Sequence, residues 1–92
     1  MPESAVLNQQ ANRFEIASDK GLAQLVFRRG PSLLDLAHTE VPPEMEGGGY
    51  GSTLVKAALE YAKSEKLKVV PSCPFVSRWL ERHHEYDDIV VR

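Results

Sequence analysis

The sequence predicts an α/β (α+β) domain of element order β-β-β-α-β-α, and three observations carry that prediction. Apolar residues alternate with polar ones in runs between Asn12 and Val41, broken by short glycine-containing turns. From Gly51 to Glu65 the apolar period changes to three and four, as on one face of a helix. Beyond it, Leu67-Lys68-Val69-Val70 is a short strand-like run, followed by a proline-led segment that again reads as a helix.

The elements follow in order. Residues 1–11 are polar and unpatterned and read as a flexible lead-in, leaving 12–92 as a single domain. Asn12 to Ala17 sets Phe14 and Ile16 against Arg13 and Glu15, the pattern of a half-buried strand. Ser18-Asp19-Lys20-Gly21 is a turn. Leu22 to Arg28 alternates again, with Ala23, Leu25 and Phe27 on one side, and Arg29-Gly30-Pro31 closes a second turn. Ser32 to Val41 is the third strand. Three strands on short turns make an antiparallel meander. In the first helix Leu54, Val55, Ala58, Leu59 and Ala62 share a face, and Ser52 is placed to cap its start. The strand after it must lie parallel to a neighbour, because a helical crossover reverses direction twice. Pro74 sets the first position of the second helix, with Ser72 or Cys73 before it as cap, and that helix runs to Glu81 or Arg82. Ile89-Val90-Val91 near the end reads as one further short strand.

Composition narrows the function classes. The chain has 92 residues, 42% hydrophobic and 26% charged, a globular balance. A net charge of −2 gives no basis for nucleic-acid binding. No apolar run reaches the ~18 residues that span a membrane, and the first residues lack the basic and apolar regions of a signal peptide. One cysteine allows no internal disulfide, which fits a reducing, cytoplasmic setting. A monomer or a weak dimer is expected.

The segment with most chemistry is Glu46-Gly47-Gly48-Gly49-Tyr50-Gly51-Ser52-Thr53, between the third strand and the first helix. Glycines let the backbone approach a ligand closely, and a helix N-terminus offers unpaired N–H groups and partial positive charge. Together they suit an anion such as a pyrophosphate; a flexible turn is the plainer reading. The P-loop pattern is absent. A dinucleotide-binding Gly-x-Gly-x-x-Gly frame fails because Ser52 stands at its last position, and no Gly-x-Ser-x-Gly elbow occurs.

This segment resembles the acetyl-CoA-binding motif of the GNAT acetyltransferases, (Arg/Gln)-x-x-Gly-x-(Gly/Ala), in the frame from Glu46 to Gly51. With His38-Thr39-Glu40-Val41-Pro42-Pro43-Glu44 before it, and Leu54-Val55 with Ala57-Ala58-Leu59 and Val70-Pro71-Ser72-Cys73-Pro74-Phe75 after it, the chain is similar to small single-domain GNAT-like proteins over residues 12–86. The resemblance implies a minimal GNAT-like domain and an acetyl-CoA-dependent acyltransferase acting on an unknown amine, small or protein-borne. It implies that coenzyme A lies along Thr39 to Val41 where the third strand parts from the fourth. The diphosphate would then rest on the amides of Gly47, Gly48, Gly49, Tyr50, Gly51 and Ser52, near the Ser52 and Thr53 hydroxyls. Two positions depart from the family pattern. Glu46 replaces the usual Arg or Gln, and Gly48 stands where a basic residue is common, so weakened cofactor affinity is expected. The alternative function is a non-catalytic coenzyme A-binding or interaction module.

Three residues are candidates for catalysis. Cys73 lies at a predicted helix N-terminus, where a thiolate is favoured. It either takes the acetyl group as a nucleophile or lines the acetyl pocket as a packed thiol. His38 and Glu40 share a strand face and either could serve an amine as base, directly or through water. A histidine bonded to a neighbouring strand is the structural alternative for His38. His83 and His84 sit among charges and read as solvated, and no metal-ligand set is apparent.

Overall fold

The computed structural model describes residues 4–91. Among these residues five strands form one sheet in sequence order: β1 (Val6–Asn8), β2 (Arg13–Ser18), β3 (Gly21–Arg29), β4 (Leu33–Glu40) and β5 (Lys68–Val70). The first four pair antiparallel and β5 joins β4 in parallel. Two helices complete the fold, α1 (Tyr50–Ser64) between β4 and β5 and α2 (Pro74–Glu81) after β5.

The expected meander, crossover and both helices are present, with two differences. Residues 6–8 of the expected lead-in form the edge strand β1, with Leu7 opposite Phe14. Three residues carry no period, so only pairing to β2 reveals the strand; residues 1–3 lie outside the described part. Near the other end, His84–Ile89 is a 3-10 helix, not a strand. Val90 makes one parallel bridge to Val69, with the Val91 N–H on the Val69 carbonyl at 2.8 Å. Arg92 lies outside the described residues.

One face of the sheet packs on α1. The Phe14 and Tyr61 rings meet edge to face at 5.7 Å, so Phe14, Ile16, Ala23, Leu25 and Phe27 point inward against Leu54, Val55, Ala58, Leu59 and Ala62. All five of these helix residues are fully buried, as their spacing predicts. Leu34, Leu36, Val69, Val76 and Leu80 extend the same core.

A bulge in β4 decides what the strand end presents. Val26 pairs with His38 but Phe27 with Leu36, leaving Ala37 as an extra residue. Leu34 and Leu36 point into the core. Without the extra residue His38 would follow them inward; with it His38 and Glu40 are exposed on the opposite face and Thr39 turns toward α1 and α2.

Tyr86 ties the C-terminal 3-10 helix to α1. Its hydroxyl donates to the Glu60 carboxylate at 2.6 Å. Burial first, then the bond to that carboxylate, pushes the phenol from its usual 10 up to about 12. A raised pKa means that the native state favours the neutral phenol. Its contribution is full below about pH 10 and is lost as pH rises toward 12. Tyr86→Phe is expected to lower unfolding stability by about 1.5 kcal/mol at neutral pH, with the difference shrinking in alkaline urea titrations.

Candidate functional site

The site is built where β4 and β5 part. Their pairing ends at Asp35 opposite Val70. One more bond follows, from the Cys73 N–H to the Leu36 carbonyl at 2.9 Å. Beyond it β4 continues to Glu40, while the chain after β5 turns at Pro71 into α2. The gap between them opens into a cavity of about 490 Å³ lined by Thr39, Val41, Met45, Glu46, Gly47, Gly49, Tyr50, Gly51, Ser52 and Phe75.

The glycine loop forms one wall. Pro43–Met45 makes a single 3-10 turn that buries Met45 and lifts the chain over the end of β3. The helix then starts one residue earlier than its composition suggests. Gly49, with φ +81°, is its N-cap in the left-handed region, which costs most residues about 1–2 kcal/mol. The N–H groups of Tyr50, Gly51 and Ser52 therefore have no partner within the helix, since the first intrahelical bond is Thr53 N–H to the Gly49 carbonyl. Gly51 serves close packing: a Cβ there would lie 2.7 Å from the edge of the Phe75 ring.

Other expected members fall elsewhere. Ser52 does not cap the helix; its hydroxyl accepts the indole N–H of Trp79 at 2.8 Å and clamps α1 to α2. The Thr53 hydroxyl is spent on the Gly49 carbonyl at 3.0 Å and does not reach the cavity wall. Gly48 lies outside the wall too, its N–H bonded to the Met45 carbonyl at 3.3 Å. Glu46 is on the wall, so the departure from the family frame puts a carboxylate at the cavity.

Cys73 lies behind two wall residues. It is the N-cap of α2, with Pro74 at the first helical position as the sequence predicts. The residue is 4% exposed, and its sulfur contacts the Thr39 hydroxyl at 3.4 Å. Burial alone would push the thiol up. The Thr39 hydroxyl, then the N–H groups of Val76, Phe75 and Thr39, outweigh burial and hold it below its ordinary value. Neither α2 amide closes a formal cap bond, yet their positive ends face the sulfur.

His38 and Glu40 stand on the other face of the strand end, Nε2 to Oε2 at 3.6 Å. Gln24 on β3 donates its amide to Glu40, and this bond, with His38 second, holds the carboxyl below its usual range. Glu40 borders a second hollow of about 500 Å³ with Leu22, Thr39, Val41, Pro42 and Pro43. Thr39 and Val41 line both spaces, so they form the partition between them.

Sequence reasoning missed Met45 and Phe75 as wall residues. Phe75 carried a signal, an aromatic two positions past the cysteine before the helix-starting proline; in the structure it is 36% exposed although apolar. Met45 gave none, because its place follows from the turn ahead of the glycines. His83, expected to be solvated, stacks on Trp79 with ring centroids 3.7 Å apart. Among the described residues no helix is long and apolar enough to cross a membrane.

Comparison with known proteins agrees with this architecture. Residues 13–89 match the model of the GCN5-related N-acetyl-transferase family, and the chain belongs to that family. The solution NMR structure of a GCN5-like N-acetyltransferase candidate from Staphylococcus aureus superposes with a TM-score of 0.75 at 31% identity. The match covers 96% of this chain and 87% of that one. Protein NATD1 of Gallus gallus and of Mus musculus are each 35% identical over 54 residues, 59% of this chain. That match takes in 49% of their length, so the likeness spans about half of these curated relatives.

Two outcomes test the geometry. Alkylation of Cys73 by iodoacetamide should reach half its limiting rate at a lower pH than free cysteine does. Thr39→Val should move that midpoint up, since it removes the hydroxyl donor; an unmoved midpoint would mean that Thr39 does not polarise the sulfur. Gly49→Ala and Gly47→Ala should each cost about 1–2 kcal/mol of unfolding stability from left-handed strain, with open space around Gly47 so that no packing cost adds there.

Proposed function

We propose that this domain is an acetyl-CoA-dependent acyltransferase that passes the acetyl group to an amine, with Cys73 receiving it first. One observation carries the proposal. The cavity joins unpartnered loop and helix N–H groups at one side to Thr39 and Phe75 at the other, and both of the latter contact the Cys73 sulfur environment. Free N–H groups of Tyr50, Gly51 and Ser52 suit the diphosphate of coenzyme A. The unpaired edge of β4 from Thr39 to Val41 suits the amide-bearing pantetheine arm, which can add to it as a strand does. These residues fit the cofactor that the family uses.

The chemistry follows from the thiolate. The Cys73 sulfur attacks the thioester carbonyl, the bond from that carbonyl to the cofactor sulfur breaks, and coenzyme A leaves as thiolate. A neutral amine then attacks the acetyl-Cys73 carbonyl, the Cys73 thiolate leaves, and the amine proton passes to a base. The hollow beside Glu40 is the acceptor side, separated from the cofactor side only by Thr39 and Val41. His38 stands beside Glu40 but off the lining of that hollow, so it takes the proton through water. Glu40, held acidic by Gln24, is the poorer base and draws the ammonium form of the acceptor toward the hollow.

A second reading is direct transfer from the thioester to the amine, with Cys73 as packing. The burial of the thiol behind Thr39 and Phe75 favours it. A third, a binding module without turnover, is favoured by Glu46 at the cavity wall. Intact mass spectrometry after mixing with acetyl-CoA separates the three. An added acetyl group absent from Cys73→Ala, with turnover over an amine panel lost in that variant, supports the relay. Turnover that survives Cys73→Ala establishes direct transfer. Cofactor binding without thiol release over every amine establishes the module.

Glu46→Arg should tighten coenzyme A binding by about threefold at low salt, with the gain fading as ionic strength rises. Equal or weaker binding in calorimetry would show that the carboxylate does not face the diphosphate.

A further inference from the structure

Beside the main cavity lies a groove of about 380 Å³, lined by Ser52, Phe75, Arg78, Trp79, Glu81, Arg82 and His83. It shares Ser52 and Phe75 with the cofactor cavity, so the two lie side by side across the α1–α2 junction. We infer that this groove holds the 3′-phosphate of the coenzyme A nucleotide, with Arg78 and Arg82 as its cationic donors. The inference rests on the cofactor reading above and names where its charge is met.

Charge balance is the first reason. Coenzyme A carries a diphosphate and a 3′-phosphomonoester. Among the described residues no lysine or arginine lines the main cavity, and Glu46 adds a carboxylate to it. Backbone amides can seat the diphosphate, but a dianionic monoester calls for guanidinium or ammonium partners. The groove supplies two guanidiniums against one carboxylate, Glu81.

Availability is the second. Arg13 is bonded to Glu15, and Arg29 to Tyr61 and Glu65. Arg78 and Arg82 show no ion pair or side-chain hydrogen bond to the described residues, and both are exposed. They lie four residues apart, at the end of α2 and its C-cap, and therefore on one side of the helix. Two unspent forks at that spacing can close on one phosphate from both sides.

Rigidity is the third. The floor between the arginines is Trp79, 9% exposed, its indole N–H fixed on Ser52 and its ring covered by His83 at 3.7 Å. The groove cannot collapse without breaking that clamp, so little ordering accompanies binding. His83 borders the rim, with its Nδ1 3.8 Å from the Glu85 carboxylate.

Isothermal calorimetry of the full chain with coenzyme A, dephospho-coenzyme A and adenosine 3′,5′-bisphosphate tests the assignment. Coenzyme A should bind about tenfold more tightly than dephospho-coenzyme A at low salt, and the ratio should fall as salt rises. Arg78→Ala with Arg82→Ala should bring the ratio near one while leaving dephospho-coenzyme A affinity unchanged. Both sites are exposed, so the double variant should keep its fold, verified by its circular dichroism. Equal binding of the two cofactors by the native chain would overturn the assignment and leave the cofactor reading standing. Equal weakening of both by the double variant would also overturn it, because the arginines would then serve the diphosphate. Binding of neither cofactor at millimolar concentration would overturn the cofactor reading itself, and this assignment with it.

Discussion

The structure depends on where β4 lets go of its parallel neighbour. Three residues of β4 pair with β5, the Cys73 N–H closes on the Leu36 carbonyl at 2.9 Å, and the strands then diverge. A parallel sheet edge left open inside a small domain exposes unpaired backbone groups, which water or a ligand must satisfy. The bulge at Ala37 falls one residue past that last bond. It turns Thr39 toward the sulfur of Cys73 and His38 with Glu40 to the other face. Moved by one residue, the strand would bury a histidine and expose the threonine, and neither side of the partition would carry its present groups.

Two helix starts converge on the resulting space. α1 begins at a left-handed glycine, so its free amides open into the cavity without a capping side chain in the way. α2 begins at Cys73, so its first amides face a sulfur. Both ends favour negative charge, one on a ligand and one on a residue of the chain. Ser52 and Trp79 lock the two helices together at that point and set the distance between the ends. Glu46 works against the same field, and the arginines of α2 lie beyond the clamp, on the side where the charge of a long anionic ligand would emerge.

Much of this was legible in the sequence for physical reasons. Alternation located β2, β3 and β4 because one face of each is buried. The three-four period located α1, because its five apolar residues are all fully buried. Pro74 marked the start of α2 through its fixed φ. The family motif then gathered Thr39, Val41, Gly47, Gly49, Tyr50, Gly51 and Ser52 as candidates, and these residues share one cavity. What could not be read depends on tertiary pairing. β1 has three residues and no period of its own. The bulge leaves no trace in composition, since Ala37 fits either face. The Thr39–Cys73 contact joins residues 34 apart in sequence, and the Ser52–Trp79 bond joins residues 27 apart. Gly48 and Thr53 belong to the motif, but their backbone and hydroxyl groups are spent within the turn and the first helical residues.

The central claim is that the parted strands and the glycine loop form one ligand seat. Amide chemical shifts of the nitrogen-15-labelled protein, followed as coenzyme A is added, test it most directly. The largest shifts should fall on Thr39 to Val41, on Gly47 to Ser52 and on Phe75, together and with one saturation curve. Shifts confined to the β1–β2 edge or to the tail near Val90, with the loop amides unmoved, would contradict it.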